Sequence, residues 1–235
     1  MFIGHLGAGL VLKKFDQKTN LAWFFVSVLL PDLLLWIFIL VGIERVIVPP
    51  DFNNLHYLKF FFPYSHSLIG TVAWSLLTYV IAEIITKRRK TAILLGVGVL
   101  SHYLFDFIVH TPDLTIAGDN SAVIGLGLWN HMYLAMSVEI IIFLTGLIIY
   151  IVSTKGISLT GKYGIYILAL LLIASAFVSQ LLFPSPESGN EVAGSALLAL
   201  ILVILTAYWL DRKRVAEDKG DKIQDKSQKN KVELE

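Results

Sequence analysis

The chain of 235 residues alternates long apolar segments with short polar ones. An α-helix rises about 1.5 Å per residue, so about 20 apolar residues are needed to cross a bilayer. Six segments approach that length: Leu21–Ile43, Ser67–Thr86, Ala92–Val109, Met132–Val152, Tyr163–Phe183 and Val192–Leu210. The pattern therefore predicts an all-α membrane protein with six transmembrane helices.

The two ends of the chain differ from these spans. Met1–Leu12 is apolar but too short to cross a bilayer, so we expect a half-crossing or interfacial helix there. The last segment, residues 211–235, is nearly all charged and polar, which predicts a disordered tail. Residues 1–210 are then expected to form a single transmembrane domain.

Basic residues alternate between successive connections. Lysines and arginines precede the first span, follow the second and fourth, and recur in the tail, whereas the other three connections are poor in them. Since cytoplasmic loops carry the excess of Lys and Arg, this alternation predicts a multi-pass protein of the cell membrane with both termini cytoplasmic.

Composition agrees with a membrane location and narrows the chemistry. The chain is 56% hydrophobic and only 16% charged, against about 25% charged in soluble domains, and its mean hydropathy is +0.71. A net charge of +1 indicates no nucleic-acid partner. There is no cysteine, so any metal must be held by His, Asp or Glu.

One span carries an unusual polar stripe. His102, Asp106 and His110 lie four residues apart, which places them on one helical face. Ionisable side chains inside a membrane are costly and are read as functional by default. Two imidazoles and a carboxylate on one stripe are also typical of a transition-metal site.

Counting depth along the predicted helices brings further polar residues to the same level. His102 lies about 16 Å and Asp106 about 22 Å from the inner surface, while His110 falls at the outer rim, where solvation would explain it. Asp32 follows Pro31, which should kink its helix near the midplane and free backbone groups. Glu139 falls at the same level, and His66 can close this slab from the outer side and His5 from the inner side.

Four short motifs in this region resemble a known family. Gly4-His5, Leu30-Pro31-Asp32, Ser65-His66-Ser67 and Ser101-His102-x3-Asp106 occur in the order seen in the YdjM-type membrane-bound metal-dependent hydrolases. These are also described as LexA-binding, inner-membrane-associated hydrolases. The resemblance covers residues 1–115 and implies that Glu139 is a further acidic group and that the metal ligands or their partners are His5, Asp32, His66, His102 and Asp106.

The chain departs from the family pattern at two places. The second acid of Pro-Asp-x-Asp is Leu34, and Phe61 and Phe62 stand where the family motif has a His and an Arg. With fewer ligands, we expect one zinc ion or a degenerate site. The missing Arg removes a bidentate clamp for phosphate.

The sequence thus favours a membrane-embedded hydrolase that binds a divalent metal, Zn²⁺ before others, and acts on a lipid or lipid-linked ester or phosphoester. A bound metal would activate water, with Asp106 or Glu139 as the general base. Two alternatives stay open at this point: a metal or proton transporter, and a non-catalytic membrane protein with a structural metal site.

Overall fold

The computed structural model describes residues 2–55, 57–182 and 184–217, and it is an all-α structure. The predicted tail therefore lies outside the described residues from position 218 onward. The helices are α1 Phe2–Phe15, α2 Leu21–Val28, α3 Leu30–Leu40, α4 Phe52–Leu55, α5 Leu68–Thr86, α6 Arg89–Val109, α7 Met132–Ser153, α8 Leu159–Phe177 and α9 Gly189–Asp211. A 3₁₀ turn, Leu128–His131, precedes α7, and a π-helical turn, Val178–Leu182, follows α8.

Among the described residues, five helices are long and apolar enough to cross a membrane, α5 to α9. A sixth span is present if α2 and α3, which together are long and apolar enough, are counted as one. These two helices meet at Leu29 with a bend of 57°. The predicted kink at Pro31 is confirmed: this residue lies in the first turn of α3, where a proline's missing N–H costs nothing.

Helix α1 lies inside the bundle and is buried along most of its length. It crosses α7 at Gly7 and Gly146, where a Cβ on Gly146 would lie only 2.2 Å from the Gly7 carbonyl oxygen. Small residues at a helix crossing let two backbones approach closely, which is how helices associate in membranes. This crossing holds the N-terminal helix, and His5 with it, at the centre of the molecule.

A buried ion pair closes the end of the bundle at which α1 and α9 finish. The Lys13 ammonium lies 2.8 Å from Asp211 Oδ2, and the same carboxylate accepts hydrogen bonds from the Tyr150 hydroxyl and the Leu21 N–H. These contacts tie α1, α2, α7 and α9 together. Asp211, predicted as the start of the tail, is therefore the buried last residue of α9.

Asp16, in the turn between α1 and α2, makes a second cluster at this end. Its carboxylate accepts hydrogen bonds from the hydroxyls of Thr19 and Thr91 and from the Arg88 guanidinium. Burial raises the pKa of Asp16, but these hydrogen bonds and the Arg88 charge outweigh it and lower the pKa to about 2. The carboxylate is thus held in its charged form between α1 and the start of α6.

Three small antiparallel strand pairs lie within the described residues, and none of them was predicted. They are β1 Arg45–Ile47 with β2 Lys59–Phe61, β3 Leu114–Thr115 with β4 Val123–Ile124, and β5 Thr154–Gly156 with β6 Arg214–Ala216. Each strand has two or three residues, too short for an alternating pattern to stand out in sequence. The first two pairs fold the connections that cover the polar cluster.

Candidate metal centre

The five residues predicted as metal ligands or their partners meet in one place. His5 comes from α1, Asp32 from the first turn of α3, His66 from the segment before α5, and His102 and Asp106 from α6. The three histidines and Asp106 are 0–3% exposed. The Asp32 side chain is 19% exposed, so the cluster opens at that carboxylate.

Two carboxylates approach a pair of imidazole nitrogens at separations close to those between the ligands of one metal ion. His102 Nε2 lies 3.1 Å from His66 Nε2 and 3.0 Å from Asp106 Oδ2. Asp32 Oδ1 lies 3.5 Å from His66 Nε2 and 3.7 Å from His102 Nε2, and His66 Nε2 lies 3.6 Å from Asp106 Oδ2. Zinc bonds of about 2.0–2.2 Å place tetrahedral ligand atoms about 3.3–3.6 Å apart. Asp106 and the two imidazoles form a set of three donors within 4.8 Å of one another, and Asp32 approaches the same two imidazoles, so these residues fit a divalent metal in type and spacing.

The break between α2 and α3 orients His102. Its Nδ1 lies 2.7 Å from the Val28 carbonyl oxygen at the end of α2. A carbonyl oxygen only accepts, so Nδ1 carries the proton and Nε2 points its lone pair at the other donors in the neutral ring. Pro31 contributes indirectly, because a helix broken at this point frees a backbone carbonyl for the imidazole.

His5 contacts the same carboxylate from the other side. Its Nε2 lies 3.0 Å from Asp106 Oδ1, and its ring stacks on His102 with centroids 3.7 Å apart. Donor atoms of His5, Asp32 and His102 all lie within 4.8 Å of one another, which makes a second set overlapping the first. Within the described part of the chain, the buried Nδ1 of His5 has no hydrogen-bond partner.

Glu139, the sixth predicted site residue, lies beside the cluster and belongs to neither donor set. Its carboxylate interacts with the backbone N–H groups of Ile3 and Gly4 in the first turn of α1 and lies within electrostatic range of Asp106. Unpaired N–H groups give a helix N-terminus a partial positive charge, which favours a carboxylate there. Glu139 thus holds the helix that carries His5.

His110 is buried, 4% exposed, so its predicted solvation at the rim is wrong. Its Nδ1 lies 2.9 Å from Asp113 Oδ1, and its Nε2 lies 3.8 Å from Asp106 Oδ2. Trp129 covers it with ring centroids 4.1 Å apart. Depth counting missed this because the connection from α6 to α7 folds back over the helix end, where the Gly127 N–H bonds the His110 carbonyl.

Phe62 closes the cluster on the side of His66 and His110. It is 2% exposed and meets the rings of His66 and His110 edge-on, with centroids 5.0 and 5.6 Å away. An apolar residue here excludes water from two imidazoles and strengthens the electrostatic interactions beneath it.

Sequence reasoning also missed Glu44. This buried carboxylate accepts a 2.6 Å hydrogen bond from Ser65 Oγ, which in turn lies 2.8 Å from His66 Nδ1. Glu44 stands in a connection between spans, where an acid is ordinarily solvated, so no signal in the sequence set it apart.

No protein-family model matches this chain, and no curated protein and no solved structure matches it either. The donor geometry and the motif resemblance are therefore the observations that bear on its function.

Proposed function

We propose that this protein is a metal-dependent hydrolase embedded in the cell membrane, of the YdjM type that its motifs resemble. The observation that carries the proposal is a buried cluster in which Asp32 and Asp106 each place a carboxylate oxygen 3.0–3.7 Å from His66 Nε2 and His102 Nε2, which lie 3.1 Å apart. The partly exposed Asp32 is the corner at which a substrate would enter.

Two imidazoles and two carboxylates suit Zn²⁺ best, with Mn²⁺ as the next choice. Bound there, the ion would act as a Lewis acid that lowers the pKa of water to about 7 and polarises the scissile group. His102 is held by Val28, and His5 and His102 stack, so the chain keeps its donors in place by packing.

In this proposal Asp106 and Glu139 have different roles. Asp106 directs one oxygen to His66 and His102 and the other to His5, which makes it a ligand and an anchor. Glu139 stands outside the donor sets yet within electrostatic range of Asp106, so it is the carboxylate left to accept a proton.

The substrate is a lipid or a lipid-linked ester or phosphoester. The proposed membrane protein has six spans, with α2 and α3 as one, a shorter N-terminal helix inside the bundle, and both termini cytoplasmic. Counted along these spans, the cluster lies between the midplane and the outer leaflet, beneath Phe62 and Trp129. A substrate reaching such a depth comes from the bilayer more easily than from water.

Metal analysis of the purified protein tests the proposal. We expect close to one zinc per chain, with loss of most of it in His102→Ala and in Asp32→Ala. The matched control is His131→Ala, which removes an exposed histidine outside the donor sets. Absence of stoichiometric metal from the wild type, or metal content unaffected by both site variants, would refute a metal centre here.

A structural metal site is the second candidate, and one observation favours it. Asp32 and Asp106 both approach the two imidazoles, and four protein donors on one ion would fill a tetrahedron, whereas catalytic zinc sites usually keep one position open. Cobalt-substituted protein separates the two: an absorption spectrum that changes when azide is added indicates an open position, and an unchanged spectrum indicates a structural site.

Transport of metal or protons has no comparable support. The positions of α1 between His5 and Lys13 are apolar and mostly buried, so along this helix apolar residues separate the cluster from the inner ion pair. An ion pathway would need polar groups along that stretch.

A further inference from the structure

The connection after α3 places a buried carboxylate near His66, on the side of its Nδ1 atom. Glu44 is 4% exposed, and its Oε1 accepts hydrogen bonds from the N–H groups of Tyr64 and Ser65 at 2.9 and 2.8 Å. Its Oε2 accepts from Ser65 Oγ at 2.6 Å. Since main-chain N–H groups only donate, this surrounding suits an ionised carboxylate that acts solely as an acceptor.

The hydroxyl of Ser65 links this carboxylate to the histidine. A hydroxyl has one proton, and Ser65 donates it in the hydrogen bond to Glu44, so Ser65 Oγ can only accept from its other neighbour. That neighbour is His66 Nδ1, 2.8 Å away. Nδ1 must therefore carry a proton, and the neutral ring has its lone pair on Nε2, the atom that faces His102, Asp32 and Asp106.

We propose that Glu44, acting through Ser65, is a positioning residue that selects the His66 tautomer able to bind a metal. The inference rests on the proposed function, since it gives His66 the ligand role of that site. Ligating histidines commonly donate their other ring N–H to a carboxylate or carbonyl, and loss of such a partner costs about 10–100-fold in metal affinity. His102 has its partner in Val28, and Ser65 with Glu44 supplies the one for His66.

The substitution Glu44→Gln separates this role from a merely structural one. The glutamine oxygen can still accept from the two main-chain N–H groups, so the connection stays tied to the segment before α5. The glutamine NH₂ would now donate to Ser65 Oγ, and the Ser65 proton would turn to His66 Nδ1. The His66 proton then moves to Nε2 and points into the cluster, where it opposes a metal.

Two measurements on the full chain in detergent test the inference. Ring ¹⁵N chemical shifts of the metal-free protein report the tautomer, with the His66 signal assigned by its absence from His66→Ala. Titration with Zn²⁺ reports affinity. We expect His66 to be protonated on Nδ1 in the wild type and on Nε2 in Glu44→Gln, with Zn²⁺ binding weakened by about 10–100-fold. Ser65→Ala should weaken Zn²⁺ binding similarly.

Asp211→Asn is the control, because Asp211 is another buried carboxylate that accepts from main chain and side chains, away from the cluster. It should lower stability and leave Zn²⁺ affinity unchanged. The inference is overturned if Glu44→Gln keeps both the wild-type tautomer and the wild-type affinity. A wild type that binds no Zn²⁺ would instead refute the proposed function, and the ring-nitrogen signals would still decide what Glu44 does to His66.

Discussion

The crossing of α1 and α7 gives the sharpest test of how the site is assembled. Gly146→Ala adds one methyl group where the new Cβ would lie 2.2 Å from the Gly7 carbonyl oxygen and 2.8 Å from its carbonyl carbon. Both neighbours are backbone atoms of another helix, so no side chain can rotate away. The two helices must separate.

The size of the effect follows from these distances. Ordinary contact begins near 3.4 Å, so the helices must part by about 1 Å, and overpacking of this kind costs about 1–3 kcal/mol. His5 lies two residues before Gly7 and 3.0 Å from Asp106. A displacement of about 1 Å would lengthen that contact beyond hydrogen-bond range. We therefore expect lower stability and weaker Zn²⁺ binding together.

The measurement is SDS-induced unfolding in detergent, with Zn²⁺ titration on the same preparations. Gly194→Ala is the matched control, because this glycine lies inside α9 and a Cβ there meets nothing within 4 Å. It should leave Zn²⁺ binding unchanged and raise stability by up to about 1 kcal/mol through helix propensity. If Gly146→Ala behaves like this control, α1 does not cross α7 at these glycines, and the placement of His5 is refuted.

Three further results are expected. The pKa of Asp16 is lowered from 3.8 to about 2, so its stabilising contribution is full above pH 3.8 and lost as the pH falls toward 2. The difference in unfolding free energy between wild type and Asp16→Asn should therefore shrink between pH 3.8 and pH 2. A difference independent of pH would contradict the lowered pKa. Lys13→Met leaves the buried Asp211 without its cation and should lower the free energy of unfolding by about 3–5 kcal/mol. A decrease smaller than that for removal of an exposed ion pair would show that the pair is not buried in solution. Pro31→Ala restores an N–H at the helix break and should let α2 and α3 straighten. His102 would then lose its carbonyl partner, and Zn²⁺ affinity should fall about 10-fold. Unchanged affinity would show that the break does not orient His102.

Hydrophobic patterning was sufficient for the helices. The predicted spans correspond to α2 with α3 and to α5 through α9, and the kink before Asp32 followed from Pro31 alone. The small strand pairs and the ion pair of Lys13 with Asp211 were not predictable. They join positions far apart in the chain, and nothing in either local sequence marks its partner.

In the candidate site, too, some residues could be predicted from the sequence and others could not. His5, Asp32, His66, His102 and Asp106 were named from the cost of polar groups in a bilayer and from motif resemblance, and they meet in the structure. Depth counting put His110 at a solvated rim, because rise per residue says nothing about a connection that folds back over a helix end. Glu44 was missed, since its distinction is burial behind Ser65 rather than its residue type.

The sequence by itself thus determined that the chain is helical and apolar, and it identified the polar side chains that are too costly to expose to lipid. Both properties follow from transfer free energies of individual residues. Only the tertiary structure decided which oxygen of Asp106 faces which histidine, which ring nitrogen of His66 and of His102 faces the cluster, and where the cluster opens. Those properties depend on distances of about 3 Å between atoms of different helices. Such distances are set by packing contacts such as the one between Gly7 and Gly146.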